Sequence, residues 1–322
     1  MTTFKEIRGT AIQVVSSDPS NPETGQIWYN SSSGTLKGYK TVNAWSSGGN
    51  LGTARYRITG AGIQTAAVGF GGYTTGVLAN TELYNGTSWT ASGNLPAAKA
   101  DAAPAGTQTA ALSGGGTGPG GRTNTSEEFN GSTWTSGGNM NTTRSQISGA
   151  GTQTAALAFA GNPPSPPFAS NATESYNGTS WTTVNSLNTA RTATASAGTQ
   201  TAALAFGGDL SPNNTAATES WNGTSWTSSP NSMNTARRAL GGCGTQTLAL
   251  AFGGNISGST GATELWNGTS WTSNPTGLGT ARRFLGSSGT QTAGLGFGGY
   301  STGATAATEE WTGVGIQTIT VS

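Results

Sequence analysis

The sequence contains no histidine and a single cysteine, Cys243, among 322 residues. Without His it lacks the usual zinc ligand and the commonest general base. One Cys cannot form an intrachain disulfide. Charge is also scarce. Fourteen basic and 13 acidic residues leave a formal net charge of +1, which supports no long-range attraction to nucleic acid or to an anionic membrane. No run of 18 apolar residues occurs, and the opening MTTFKEIRGTAIQVV carries charges where a secretory leader needs an apolar stretch. Neither a leader nor membrane insertion is expected. Leu, Glu and Lys, the usual helix formers, are few, so helices are not expected either.

What is present is Gly, 52 times, with abundant Thr, Ser, Asn and Ala. Ten Trp and near-neutral charge argue against disorder. The main signal is a repeat. GTQTAAL or a close relative begins at Gly62, Gly106, Gly151, Gly198, Gly244 and Gly289, at intervals of 44, 45, 47, 46 and 45 residues. Each unit holds four short segments, as in TARRALGGCG, TQTLALAFGG, ATELWNG and TSWTSNP. Alternation, β-branched and aromatic content and flanking Gly or Asn predict four strands, called a, b, c and d. Asn-Gly between c and d, at Asn85, Asn130, Asn177, Asn222 and Asn267, predicts a hairpin with a two-residue turn of type I′. Four antiparallel strands repeated at this spacing predict an all-β fold, a β-propeller of four-stranded antiparallel blades.

The whole chain, 1–322, reads as a single propeller, with six repeats of about 45 residues over 51–322. The first 50 residues read as a divergent blade or an anchoring arm. IRGTAIQVV, GQIWYN, TLKGYK and NAWSS map onto a to d, with Tyr39 and Trp45 in the aromatic places. That mapping favours seven blades. The rival is six blades, with Trp45 closing the ring beside the C-terminal strands and residues 1 to 33 forming an arm.

These repeats resemble the kelch family of β-propellers. The matching residues are the Gly pairs ending strand b (Gly71-Gly72, Gly207-Gly208, Gly253-Gly254, Gly298-Gly299), the strand-c aromatics (Tyr84, Phe129, Tyr176, Trp221, Trp266, Trp311) and a Trp on strand d. The pattern departs at Ala160-Gly161 and in the last unit, which has no strand-d Trp.

One acidic residue recurs before the strand-c aromatic, at Glu82, Glu127 or Glu128, Glu174, Glu219, Glu264 and Glu309. One cation keeps step with it, at Arg55, Lys99, Arg144, Arg191, Arg237 and Arg282. Six copies point to structural ion pairs rather than to catalysis, which needs one special constellation. The strand-d tryptophans Trp89, Trp134, Trp181, Trp226 and Trp271 read as packing between blades rather than as sugar platforms. Cys243 stands where other repeats have a small residue and reads as a buried, inert thiol. A copper oxidase resembling galactose oxidase would need His ligands. Glu127-Glu128 and Glu309-Glu310 are neighbours in a strand and point to opposite faces. No enzyme activity, cofactor or metal is expected.

In an a-b-c-d meander, the a–b and c–d turns share one face of the ring, and the b–c loops lie on the other. The first face is nearly invariant. The b–c loops differ: YTTGVLAN, TGPGGRTN, NPPSPPFASN, DLSPNNTAA, NISGSTGA and YSTGATAA. Loops on a rigid scaffold collect binding residues, so the candidates for ligand contact are Tyr73, Arg122, Phe168, Asp209 and Tyr300. The stretch SSDPSNPETGQIWYNSSSGTLKGYK, together with the Gly/Thr/Asn/Ser-rich repeats, resembles virion-associated proteins of tailed bacteriophages of marine bacteria, in tail fibres or other appendages. The resemblance implies a structural virion protein, assembled in the host cytoplasm. Its partners would be other virion proteins and a host-surface glycan or protein. Homo-oligomerisation is left open. The alternative is a cellular or secreted protein- or glycan-binding module.

Overall fold

A computed structural model describes residues 12–20 and 25–318. The fold is all-β, with no helix among these residues. The chain divides into two compact units, Trp45–Trp311 and Met1–Ala44 with Thr312–Ser322.

In the smaller unit, β1 (Gln13–Val15) pairs in parallel with β2 (Ile27–Asn30), and β2 pairs antiparallel with β3 (Thr35–Ser47). Asp18 ties them together. Its carboxylate accepts hydrogen bonds from Trp28 Nε1 at 3.0 Å, Asn30 Nδ2 at 2.7 Å and Lys37 Nζ at 2.7 Å. Those donors, Lys37 first, hold its pKa down at about 2. This is not the antiparallel meander expected of a blade. Nothing between Lys40 and Trp45 turns the chain as Asn-Gly does, so the expected c and d segments run on as one strand. Part of the expected first strand, and the Tyr39 side chain, lie outside the described residues.

The larger unit is the ring. Blade 1 consists of β4 (Thr59–Ile63), β5 (Ala66–Phe70), β6 (Thr81–Tyr84) and β7 (Trp89–Ser92), in that order and antiparallel throughout. Four further sheets repeat it, beginning at Ala103, Ser148, Ala195 and Gly241. The sixth blade takes Gly286–Gly289, Ala293–Phe297 and the start of Thr308–Thr318 from the end of the chain. Its outer strand is Trp45–Ser47, the end of β3, with Gly48 N bonded to Thr308 O at 2.9 Å. Among the described residues the ring therefore has six blades, the count in which Trp45 closes it.

Three side-chain ties prove the closure. Each strand-d Trp donates its indole N–H to the Thr or Ser three residues before the strand-c aromatic in the preceding blade: Trp134 to Thr81, Trp181 to Ser126, Trp226 to Thr173 and Trp271 to Thr218. Trp45 donates to Thr263 and Trp89 to Thr308, which completes the circle. The Phe ending strand b packs on the Trp of the next blade, as Phe206 does on Trp271 with ring centroids 4.9 Å apart. Each such pair contributes about 0.5–1.5 kcal/mol beyond its buried area. The Gln of GTQT reaches back as well. Gln200 Nε2 donates to Ala156 O at 3.2 Å and Tyr176 O at 2.6 Å, and Gln64 does the same to Gly294 O and Trp311 O across the closure.

The repeated ion pairs form inside the blades. Arg144–Glu174, Arg191–Glu219 and Arg282–Glu309 stand 3.0, 2.8 and 2.9 Å apart, with Arg55–Glu82, Lys99–Glu127 and Arg237–Glu264 in the same place. All are buried. Five of these carboxylates also accept a backbone N–H from the d–a connection, as Glu219 does from Asn188 at 2.8 Å. Burial lowers the Arg144 pKa to about 10, so this guanidinium stays protonated at neutral pH. Glu128 and Glu310 point the other way. They accept the hydroxyls of Tyr176 and Tyr84 in the adjacent blade, and burial together with Glu128 pushes the Tyr176 pKa up to about 12.

The Asn-Gly hairpins form, with a different turn. Tyr84 pairs with Trp89 across a four-residue loop in which only Gly86 has positive φ, +88°. Asn85 Oδ1 instead accepts the amides of Thr87 and Ser88 at 3.0 and 2.9 Å. The Asn side chain caps the turn, so a second left-handed residue is not needed.

Candidate functional site

The six inner strands crowd the ring axis, which restricts them to small residues. A Cβ on Gly149 would stand 2.1 Å from Pro104 O. At the b–c end of these strands, the residue two after each repeated cation adopts a left-handed conformation: Arg57, Asp101, Gln146, Ala193, Ala239 and Phe284, with φ between 52° and 58°. Such non-Gly positions cost on the order of 1 kcal/mol or more each. A circle of backbone hydrogen bonds offsets that cost. Arg57 N donates to Phe284 O, Phe284 N to Ala239 O, Ala239 N to Ala193 O and Ala193 N to Gln146 O; Ile147 N donates to Asp101 O and Asp101 N to Arg57 O, all within 2.8–3.4 Å. All six side chains line an axial cavity of about 110 Å³.

Two more rings surround this one. The residue after each cation (Tyr56, Ala100, Ser145, Thr192, Arg238, Arg283) is bridged through the backbone to the first b–c loop residue (Tyr73, Thr117, Asn162, Asp209, Asn255, Tyr300). These three positions carry five, five and four residue types among the six blades, although the backbone around them repeats.

The candidates from the loops divide accordingly. Tyr73 and Tyr300 come together on Tyr56, with centroids 5.5 and 5.2 Å from its ring. Phe284 lies 6.5 Å from Tyr56, and the Arg57 guanidinium stands 5.0 Å from the Phe284 centroid. Arg283 lies over Tyr300 at 5.0 Å. Asp209 pairs with Arg238 on another side of the mouth. Arg122 sits in the long hairpin of blade 2, close enough to Asp101 to act on its charge. Phe168, 44% exposed, stands apart without a ring contact among the described residues.

Tyr56, Arg57, Asp101, Arg238, Arg283 and Phe284 were missed because they lie in the Arg-led segments, which look repetitive. Aligning the repeats on the cation and comparing the next two residues would have found them. Asp101 is the most perturbed of them. Its side chain is largely buried and bonded to Arg57 NH1 at 3.1 Å. Burial pushes its pKa up to about 6, against the pull of Arg57 and Arg122.

Cys243 is buried, with its pKa raised to about 12 by desolvation, and its thiol faces Thr290 O at 3.4 Å. A thiol so held is a poor nucleophile. Among the described residues no three His, Cys, Asp or Glu side chains come together, and no helix is long and apolar enough to cross a membrane. No protein-family model matches this sequence, and no curated protein matches it.

Proposed function

We propose that the chain is a non-enzymatic structural protein of a tailed-bacteriophage virion, a kelch-like propeller in a tail or capsid appendage whose b–c face contacts the host surface. One observation carries the binding part: unrepeated side chains are concentrated in three ring positions around one mouth of an otherwise repetitive scaffold. Cations, aromatics and polar groups meet there on fixed backbone, the arrangement expected of a recognition surface. The virion part rests on the sequence SSDPSNPETGQIWYNSSSGTLKGYK and its resemblance to phage appendage proteins. A non-enzymatic role is supported by the ring unit's ten carboxylates, eight of which are engaged in repeated pairs or bonded to tyrosine, while Asp101 and Asp209 pair with arginines.

Mass spectrometry of purified particles tests the virion part, with a fixed copy number per particle expected. Absence from particles, with retained binding to cells, would favour a cellular or secreted binding module. Adsorption of the purified chain to host cells tests the binding part, with loss expected on Tyr56→Ser and Arg283→Gln and retention on changes in the a–b turns. Equal adsorption by all variants would remove the b–c face from the account.

A further inference from the structure

We propose that the b–c face binds an acidic saccharide, one molecule per chain, with a sugar ring against the Tyr56–Tyr73–Tyr300 cluster and its acid group at Arg283 and Arg57. This rests on the b–c face being the binding surface and names what it binds.

The charge distribution is the first ground. Within the ring unit, six cations are consumed by the buried Glu pairs, and Glu128 and Glu310 by tyrosine hydroxyls. The charges left are Arg57, Arg122, Arg238 and Arg283 with Asp101 and Asp209, all beside the b–c mouth or in its loops. Four cations face two anions. Asp101 and Asp209 engage Arg57 and Arg238, whereas Arg283 makes no ion pair among the described residues. A chain of almost neutral total charge thus gathers a cationic surplus at one place.

The aromatic cluster is the second ground. Tyr56, Tyr73 and Tyr300 are partly exposed, and among the described residues none of their hydroxyls is hydrogen-bonded, unlike those of Tyr84 and Tyr176. Rigid rings with free hydroxyls suit the alternating C–H and O–H surface of a pyranose. Backbone pairs hold them, with Tyr56 N to Tyr73 O at 3.1 Å and Tyr300 N to Arg283 O at 2.8 Å. Arg283, 5.0 Å from the Tyr300 centroid, presents a planar donor suited to a carboxylate or sulfate on the same sugar. Among the described residues the cluster occurs only between blades 6 and 1, which sets the stoichiometry at one.

Isothermal titration calorimetry of the full chain tests this with oligogalacturonate, its methyl ester, hyaluronan oligomers, oligosialic acid, a sulfated galactan, maltohexaose and polyglutamate. At least one acidic saccharide is expected to bind at one per chain. Masking its acid, by esterification or desulfation, should weaken binding at least tenfold, as should Arg283→Gln or Tyr300→Ser. Unchanged melting of Arg283→Gln would show that the loss is not unfolding. The proposal is overturned if no acidic saccharide binds, if polyglutamate binds as tightly, or if binding survives both acid masking and Arg283→Gln. Binding of maltohexaose or of cells that is lost on Tyr56→Ser, without acidic-saccharide binding, would overturn the ligand class and leave the binding face standing.

Discussion

The two faces of the ring are held together by different chemistry. On the face of the a–b and c–d turns, adjacent blades are tied by side chains. Each Gln of the repeat spans to two carbonyls of the preceding blade, and each Asn of the repeat caps its own hairpin. Those residues must recur because the tie is the residue. On the b–c face the tie that recurs at every seam is backbone, the six-membered circle through Arg57, Asp101 and their counterparts, while side-chain ties such as Arg57–Asp101 and Arg238–Asp209 occur at single seams and are not repeated. Backbone ties do not depend on side-chain identity. The b–c face can therefore vary without loss of the ring, which is the condition for placing recognition there.

The comparison can be broken at its strongest point first. Glu219→Ala leaves Arg191 buried without its counter-ion and should cost about 3–5 kcal/mol in denaturant unfolding. A loss below about 1 kcal/mol would mean the pair is not holding the blade. The next effect is a pH dependence confined to the b–c face. The Asp101 pKa, raised from 3.8 to about 6, means that the unfolded chain releases this proton first. Stability should fall by about 2–3 kcal/mol as pH rises from about 4 to 6. Asp101→Asn should flatten that slope, and an unchanged slope would assign it elsewhere. Gln200→Ala removes donors from Ala156 O and Tyr176 O and should cost about 1–3 kcal/mol. Asn162→Thr, which gives blade 3 the side chain of blade 2, should shift stability by no more than about 0.5 kcal/mol. A larger loss would show that side chains on the variable face also hold the ring.

Much of this organisation was legible in the sequence. The repeat, the four strands and the ion pairs follow from spacing and from the cost of burying lone charges. The ring count turned on β3, where TLKGYK and NAWSS map onto two strands and so favour seven blades, but form one continuous strand. Only the docking of Trp45 on Thr263 and Phe252 decides between the counts. The turn type was misjudged because Asn-Gly supports more than one loop, and the longer one lets the Asn side chain accept two amides. The candidate face was half visible. Tyr73 and Tyr300 stood out in loops, but Tyr56 and Arg283 lie next to the repeated cations and were hidden by them. Their convergence depends on ring closure between the last blade and the first, which no local pattern encodes.

The most direct test gives blade 1 the tyrosine-position side chains of blade 3, as Tyr56→Ser and Tyr73→Asn together, and measures its unfolding free energy and cell adsorption beside Glu219→Ala. The account predicts a loss of stability within about 2 kcal/mol, the worth of the aromatic contacts removed, with adsorption abolished. A loss as large as that of Glu219→Ala, or adsorption unchanged in the folded variant, would contradict it.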